Sequence, residues 1–176
     1  MAISGDNFQF GNYQPEHSYY FSRYPHVWGW ATWSRAWRHY DVKLSNWPQM
    51  REQNWLNQFL QDNSAAKFWQ AAFQSVYDGN IDTWDHQWTY TCWQQNGLTA
   101  LPRTNLISNI GFGADATHTR RSSRFSQMAL EPLTFPLSHP KEVRRNEKAD
   151  AYTQQHNFNL TLLGQARRIL RRLLPF

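Results

Sequence analysis

The sequence has little cysteine, no long apolar run and a low share of charge, and each of these excludes a class of protein. Cys92 is the one cysteine in 176 residues, which excludes an internal disulfide framework and a zinc site built on a cysteine cluster. No apolar run approaches the ~18 residues that a transmembrane helix needs. Charged residues make up 18% and aromatic residues 16% of the chain, which indicates a packed domain and not a disordered one.

Charge and tryptophan are unevenly distributed along the chain. Residues 1–118 carry seven Lys/Arg and nine Asp/Glu, whereas residues 119–176 carry eleven Lys/Arg and four Asp/Glu. All ten tryptophans fall between Trp28 and Trp93. This pattern argues against a uniformly basic nucleic-acid-binding protein and predicts no nucleic-acid partner. It favours an aromatic body with a basic tail that meets an anionic group, such as a phosphate or a lipid surface.

Apolar spacing and helix-stop residues predict most of the secondary structure. The helical spacing of apolar residues, together with residues that cap helices, predicts three helices. The first spans Ala31–Tyr40, and the rings of Trp30, Trp33, Trp37 and Tyr40 lie on one helical face. The second is capped by Asn63 or Ser64 and ends at Tyr77, and the third spans 84–95. Short strands are predicted near Leu98 and over Asn105–Ile110. Loop or irregular structure is predicted over 1–24, with a short hairpin as the alternative, and over 111–125 and 126–158.

The last segment, Leu160–Leu174, predicts an amphipathic helix. Seven of its apolar side chains, from Leu162 to Leu174, fall within an arc of about 140°, and four arginines take the opposite side. A helix of ~15 residues is marginal alone in water, so its apolar face must be buried. Two burial sites stay open: the body of the protein, or a membrane interface at which the arginines would meet anionic head groups.

The segment DTWDHQWTY, residues 82–90, carries the densest chemical signal. Asp82 and Asp85 stand at a predicted helix start, where free backbone N–H groups and the helix dipole favour an ionised carboxylate. A carboxylate between the Trp84 and Trp88 indoles could accept a proton from a substrate hydroxyl. The indoles themselves suit stacking against sugar rings. The alternative is that Asp82 only caps the helix and the tryptophans only fill the core.

The segment WGWATW, residues 28–33, is the second candidate site. Gly29 between two indoles allows a close backbone approach or a positive φ. The tryptophans Trp28, Trp30 and Trp33 could line an acceptor cleft. Tryptophan is also a large core residue, so a packing role is the alternative.

The loop SNIGFGADATHT, residues 108–119, is a third candidate. Its glycines could expose N–H groups to phosphate, and His118 with Asp115 could bind a divalent metal together with a diphosphate. Four arginines flank this region and could neutralise phosphate: Arg103, Arg120, Arg121 and Arg124. A solvated loop with surface arginines is the alternative.

Three motifs together resemble a known family. YYFSRYPHVWGWATWSRAWRHYD, IDTWDHQWTYTCWQQNG and LISNIGFGADATHT are similar to segments of bacterial nucleotide-diphospho-sugar transferases related to glycosyltransferase family 2, which include hemolytic-protein-like members. The resemblance spans roughly Phe8 to Tyr152. A looser similarity runs to N-acetylglucosaminyltransferases with a Gly-Trp segment followed by a Trp-Asp-Asp-Trp segment. In that comparison the aspartate after the first tryptophan is the general base, and Asp85 matches it.

The resemblance implies an α/β fold, or α+β for a fragment, that is helix-rich with short strands. It corresponds to the acceptor-side, C-terminal half of a GT-A glycosyltransferase. Residues 1–158 would be the acceptor-side part and residues 159–176 the basic amphipathic helix. Members of the family hold the metal and diphosphate through an Asp-x-Asp motif in their N-terminal half. No such motif occurs in this sequence, so the sugar-nucleotide half is expected to be missing.

The resemblance also implies a reaction. A sugar would pass from a nucleotide-diphospho-sugar to an acceptor hydroxyl with Asp85 as base, Asp82 next in line, and Mn or Mg as divalent cation near His118. Trp28, Gly29, Trp30, Trp33, Trp84, Trp88 and Arg103 would bind substrate. The partners would be a nucleotide sugar and a carbohydrate or lipid-linked acceptor, and the location cytoplasmic, with residues 160–174 at the inner face of the membrane. The rival interpretations are a non-catalytic carbohydrate-binding or membrane-surface module and a binder of anionic polymers.

Overall fold

The computed structural model describes residues 1–110, 124–126 and 128–158. Within this part of the chain the fold is mixed α and β, with six helices and a four-stranded open sheet, which confirms the mixed class. The chain forms two compact units. The first holds Met1–Tyr40 and Trp88–Thr153, and the second holds Asp41–Gln87 and the chain from Gln154. The predicted boundary at residue 158 coincides with the end of the described residues and stays a prediction.

The sheet of the first unit is built from short strands that lie far apart in the sequence. Its order is β2-β4-β1-β3, with β1 and β4 parallel and the other pairs antiparallel. In register, Ala2 stands opposite Thr99 and Tyr20 opposite Leu101. The strands are β1 Ala2–Ile3, β2 Tyr19–Ser22, β3 Ala31–Thr32 and β4 Thr99–Pro102. The predicted strand near Leu98 is thereby confirmed. The first 24 residues form no hairpin, because β1 and β2 both pair with β4.

Two predicted elements differ from the structure in this unit. The helix predicted over Ala31–Tyr40 shortens to α1, Ser34–Trp37, because Ala31–Thr32 pairs with β1 and Trp33 is extended at φ −96°. The strand predicted over Asn105–Ile110 is absent from the described sheet. There the Leu106 N–H bonds to the carbonyl of Gly5 in a loop, so the segment follows the loop and not a strand.

Helix α5, Asp85–Gln94, confirms the helix predicted over 84–95 and supplies the core of the first unit. Its Trp88 and Cys92 are fully buried and pack with Ala2 and Ala36. The Trp93 indole N–H donates to the Arg23 carbonyl at 2.7 Å, which ties the helix to the chain after β2.

The sequence does not predict helix α6, Glu147–Asn157. The expectation of irregular structure over 126–158 is therefore wrong for this part of the chain. The helix has a weak apolar period, because several of the side chains that it buries are polar. They include Asp150, Thr153 and Gln154. Asn146 caps its start by accepting a hydrogen bond from the Ala149 N–H at 3.0 Å.

In the described part of the second unit, a core of aromatic rings is surrounded by the three helices α2 Trp47–Glu52, α3 Trp55–Leu60 and α4 Asn63–Tyr77. Trp47 and Phe73 lie 5.5 Å apart, and Trp69 and Phe73 lie 5.4 Å apart, between ring centroids. The bounds of α4 confirm the prediction. Its cap is Asp62, whose carboxylate accepts from the N–H groups of Ser64 and Ala65, so the predicted cap at Asn63 or Ser64 is shifted by one or two residues.

Across the described ranges, the structure contains no helix that is long and apolar enough to cross a membrane. The helix predicted over Leu160–Leu174 lies outside the described residues, as does the loop over 111–123.

Candidate functional site

The start of α5 holds the carboxylate that the sequence predicts as general base. Asp85 is the first residue of the helix and is half-buried. Its carboxylate accepts hydrogen bonds from the Thr83 hydroxyl and, at 2.9 Å, from the His86 backbone N–H. The Gln87 side chain donates to the Thr83 carbonyl at 2.6 Å and closes the turn before the helix. Local donors therefore fix the orientation of the Asp85 carboxylate.

The other residues of this segment differ in accessibility. Trp84 is 41% exposed, so part of its side chain is accessible to solvent. Asp82 is exposed, and no described residue donates a hydrogen bond to its carboxylate, so its predicted capping role is not observed. Trp88 is fully buried and supports other rings from beneath. Asp82, Trp84 and Asp85 belong to the second unit, whereas Trp88 belongs to the first.

His86 follows the candidate base and is largely buried. Its ring meets that of Trp69 edge-on, with centroids 6.0 Å apart. Burial lowers the pKa of His86, and the charge of Asp85 partly opposes that shift. A neutral imidazole therefore stands beside the carboxylate at neutral pH.

An aromatic cluster forms the second part of the predicted site, within the first unit. Trp37 stacks on Tyr40 with centroids 4.3 Å apart and rings 7° from parallel. Trp30 and Trp37 lie 5.7 Å and 5.2 Å from the buried Trp88. Trp37 is nevertheless 40% exposed, so the cluster presents part of an indole to solvent. Sequence reasoning placed Trp37 on the aromatic face of a helix but did not name it as a site residue.

Gly29 lies at a close backbone approach, as the sequence predicts. Its φ is +57°, and a Cβ at this position would stand 2.9 Å from Cγ2 of Ile107. On either side of it, the indole of Trp28 packs edge-on against the ring of Phe8 at 5.0 Å, and Trp30 joins the cluster above. Trp33 is 44% exposed, with the Arg35 guanidinium 5.1 Å over its ring. The WGWATW segment therefore divides into packed and exposed indoles.

A buried Asp–His pair lies under this segment and was not predicted. The Asp6 carboxylate and Nδ1 of His26 are 3.0 Å apart, and both residues are at most 4% exposed. The Ser4 hydroxyl lies 2.9 Å from the Asp6 carboxylate and 2.9 Å from the Trp28 carbonyl. The His26 ring stacks on Phe8 with centroids 4.6 Å apart. The pair thus orients the chain that leads into WGWATW.

Asp150 is a second buried carboxylate that the sequence did not single out. It accepts from the Ser22 hydroxyl at 2.6 Å and from the Arg23 N–H at 3.2 Å. The guanidinium groups of Arg23 and Arg145 each lie 3.6 Å from it. Burial raises the pKa of Asp150 to about 7, opposed by the Ser22 hydrogen bond and the Arg145 charge. These bonds join α6 to the end of β2, which gives Asp150 a structural role.

The remaining predicted residues lie elsewhere. Arg103 is exposed directly after β4, and its Nη1 lies 3.3 Å from the Glu16 carbonyl. His118 is outside the described residues. Within the ranges that are described, no group of three or more His, Cys, Asp or Glu side chains could hold a metal ion.

A scan of protein-family models finds no matching family, and searches of curated proteins and of solved structures find no match either.

Proposed function

We propose that the chain is the acceptor-side part of a GT-A glycosyltransferase in which Asp85 is the general base. The observation that carries the proposal is the placement of this carboxylate. It stands at the first residue of a helix, held by the Thr83 hydroxyl and the His86 N–H, next to an indole that is 41% exposed. A carboxylate held in place beside a partly exposed indole suits the deprotonation of a sugar hydroxyl.

The reaction proposed follows from that placement. The acceptor oxygen attacks C1 of the sugar nucleotide and forms the new glycosidic bond. The bond from C1 to the diphosphate oxygen breaks, and the nucleoside diphosphate leaves with the electron pair. Asp85 takes the proton from the acceptor hydroxyl. His86, kept neutral by burial, adds no positive charge that would weaken this base.

Within each unit, exposed indoles could bind a sugar. Trp84 in the second unit, and Trp33 and Trp37 in the first, are each at least 40% exposed, so each offers part of its side chain to solvent. Because the C–H faces of a pyranose are apolar, such surfaces can bind sugars without hydrogen bonds. Gly29 supports this arrangement indirectly, since its close contact with Ile107 fixes the loop that carries Trp28 and Trp30.

The experiment is a transfer assay on the chain with a panel of nucleotide sugars and carbohydrate acceptors, read as release of nucleoside diphosphate. Asp85→Asn should lower turnover by about 10²–10⁴, the usual loss for a general base. Asp82→Asn is the matched control and should keep turnover. Wild-type turnover in Asp85→Asn would contradict the assignment, and a loss confined to Asp82→Asn would transfer the role to that residue.

A non-catalytic carbohydrate-binding module is the second candidate. The stacked pair of Trp37 and Tyr40 favours it, because a flat, partly exposed aromatic surface binds sugars without any base. Binding of oligosaccharides, followed by tryptophan fluorescence, should weaken in Trp37→Ala. Tyr77→Ala, which removes a ring that is 44% exposed on α4, is the control. Sugar binding that depends on Trp37, without turnover of any donor, would favour this candidate over the transferase.

The tail would bring the protein to a membrane-proximal, lipid-linked acceptor on the cytoplasmic side. This part of the proposal rests on the amphipathic pattern of residues 160–174 in the sequence. Co-sedimentation with anionic vesicles at low salt should require residues 160–176. Equal sedimentation without them, or none by the intact chain, would leave the tail as a packing element.

A further inference from the structure

A cavity of about 350 Å³ lies at one edge of the sheet in the first unit. Strands β1 and β4 are parallel, so their carboxyl ends point to the same edge, and the chain that follows each of them lines the cavity. This edge of parallel strands is where open α/β sheets bind ligands. The volume is at the lower end of the ~300–1,000 Å³ typical of small-molecule sites. The main polar lining residues are Asn7, Tyr13, Arg103, Asn105, Arg124 and Glu131.

Two buried amides build the frame of this cavity. The Asn7 side chain donates to the carbonyls of Pro102 and Arg103 at 2.8 and 2.7 Å, and the Asn7 N–H donates to the Asn105 side chain at 3.1 Å. Asn105 in turn donates to the Ile107 and Ala129 carbonyls at 2.7 and 3.0 Å. These bonds connect the chain after β1, the chain after β4 and the segment around Ala129. The walls are therefore fixed before any ligand arrives.

The described lining residues of the cavity carry more positive than negative charge. Among them, Arg103 and Arg124 supply two guanidinium groups and Glu131 supplies one carboxylate. The Arg124 guanidinium lies 4.7 Å over the Phe10 ring and 5.0 Å over the Phe125 ring, which holds its plane in position. No described carboxylate lies within ion-pair distance of Arg103, whose guanidinium is 3.3 Å from a backbone carbonyl. A planar guanidinium of this kind suits the oxygens of a carboxylate or phosphate.

We infer that this cavity binds a small polar molecule through an oxyanion, with Arg103 and Arg124 as the anion-binding residues. The ligand class is a sugar phosphate or a sugar acid, because the cavity has room for about one monosaccharide and its remaining walls are amide, hydroxyl and aromatic groups. The inference stands without Asp85 and without a transfer reaction, since every residue that carries it lies in the first unit.

The test is calorimetric titration of the intact chain with three probes of similar size: glucose 1-phosphate, glucuronate and glucose. Binding of at least one charged probe, with glucose much weaker, is the expected result, and the tighter of the two identifies phosphate or carboxylate as the ligand group. Arg103→Gln and Arg124→Gln should each weaken binding by about tenfold or more, since hydrogen bonds to charged groups are being removed. Arg144→Gln, an exposed arginine that does not line the cavity, is the matched control and should bind like wild type.

Three results would overturn the inference. They are no binding of either charged probe, glucose binding as tightly as the charged probes, or the same weakening in Arg144→Gln as in the two cavity variants. Near-ultraviolet circular dichroism of each variant separates a lost site from a lost fold. Arg124→Gln could alter the spectrum by releasing Phe10 and Phe125. In that case Arg124→Lys, which keeps the positive charge, is measured in its place. Arg124→Lys should bind the charged probe more tightly than Arg103→Gln does.

Discussion

Helices α5 and α6 each carry an aspartate in the first turn, and the two carboxylates differ in their partners. Asp150 in α6 is 3% exposed and is bonded by Ser22 and Arg23, which lie more than 120 residues away in the chain. Asp85 in α5 is half-buried, and its bonds from Thr83 and His86 come from within two residues along the chain. A helix start therefore does not by itself distinguish a structural carboxylate from a reactive one.

The origin of the hydrogen-bond donors is what separates the two. Donors that come from distant segments make a carboxylate part of the tertiary fold, and its removal breaks contacts between elements. Donors from adjacent residues orient a carboxylate without making the fold depend on it. Asp150 and Asp85 can be compared directly through the free energy of unfolding of their variants. Removal of Asp150 should have the largest effect and substitution of Asp85 the smallest.

Asp150→Ala should destabilise the protein by about 3–5 kcal/mol, the usual cost of removing one partner of a buried ion pair. The change leaves the Ser22 hydroxyl and the Arg23 N–H without their acceptor and removes the carboxylate beside Arg145. Urea unfolding measures the loss. Glu147→Ala is the control, because its ion pair with Arg145 is exposed and should cost under about 1 kcal/mol. A smaller loss for Asp150→Ala than for Glu147→Ala would refute its structural role.

Titration of Asp150 should also make the free energy of unfolding depend on pH. Burial raises the pKa of Asp150 to about 7, against about 4 in an unfolded chain, so the folded protein keeps a proton that the unfolded chain releases. The free energy of unfolding should therefore fall by a few kcal/mol as the pH rises from about 4 to about 7, and this contribution should level off above that. Asp150→Asn cannot titrate and should lose the decline. An unchanged decline in that variant would assign it to another group.

His86 should produce a smaller effect of opposite direction at the start of α5. Burial lowers the pKa of His86, so the unfolded chain binds a proton more readily than the folded one. Stability should therefore fall as the pH drops below about 6.5, the ordinary histidine value, and through the folded pKa. In His86→Gln, the free energy of unfolding from urea titrations should no longer fall at acid pH for this reason. The change with pH that is due to Asp150 should remain. Retention of the fall at acid pH in the variant would exclude His86 as its source.

Asp85→Asn should have the smallest effect on stability, under about 1 kcal/mol. The asparagine oxygen can still accept from the Thr83 hydroxyl and the His86 N–H, while the favourable charge at the helix N-terminus is lost. The same urea measurement checks it. A loss as large as that of Asp150→Ala would place Asp85 among the structural carboxylates and weaken its proposed role as base.

The helices that could be predicted are those with an apolar face. Helix α4 buries Ala65, Ala66, Trp69, Phe73 and Val76 at helical spacing, so its bounds follow from the sequence. Helix α6 buries polar side chains that are satisfied by distant segments, so no apolar period marks it. One local signal could have identified it: Asn146 followed by Glu147 is a typical helix start. Strand β3 has two residues, too few for any period to show.

The candidate site likewise has features that the sequence predicts and features that it does not. The close approach at Gly29 was predictable because only glycine suits it, although its partner Ile107 was not. The aromatic face predicted for Trp30, Trp33, Trp37 and Tyr40 was partly right. Trp33 leaves the cluster because β3 displaces the start of α1, and Trp88 takes its place. The Asp6–His26 pair and the arginine-lined cavity depend on loops that meet only in the fold, so no spacing rule reveals them.

The buried thiol of Cys92 makes the chain its own reporter of unfolding. Because burial raises the pKa of Cys92 to about 12 and leaves the side chain fully covered, almost no thiolate is available to a reagent in the folded state. Alkylation therefore requires α5 to separate from Ala2 and Ala36. Its rate reports how often this local opening exposes Cys92. Each variant above carries this one chemical label at the same place. A single reagent can thus rank their opening free energies without denaturant.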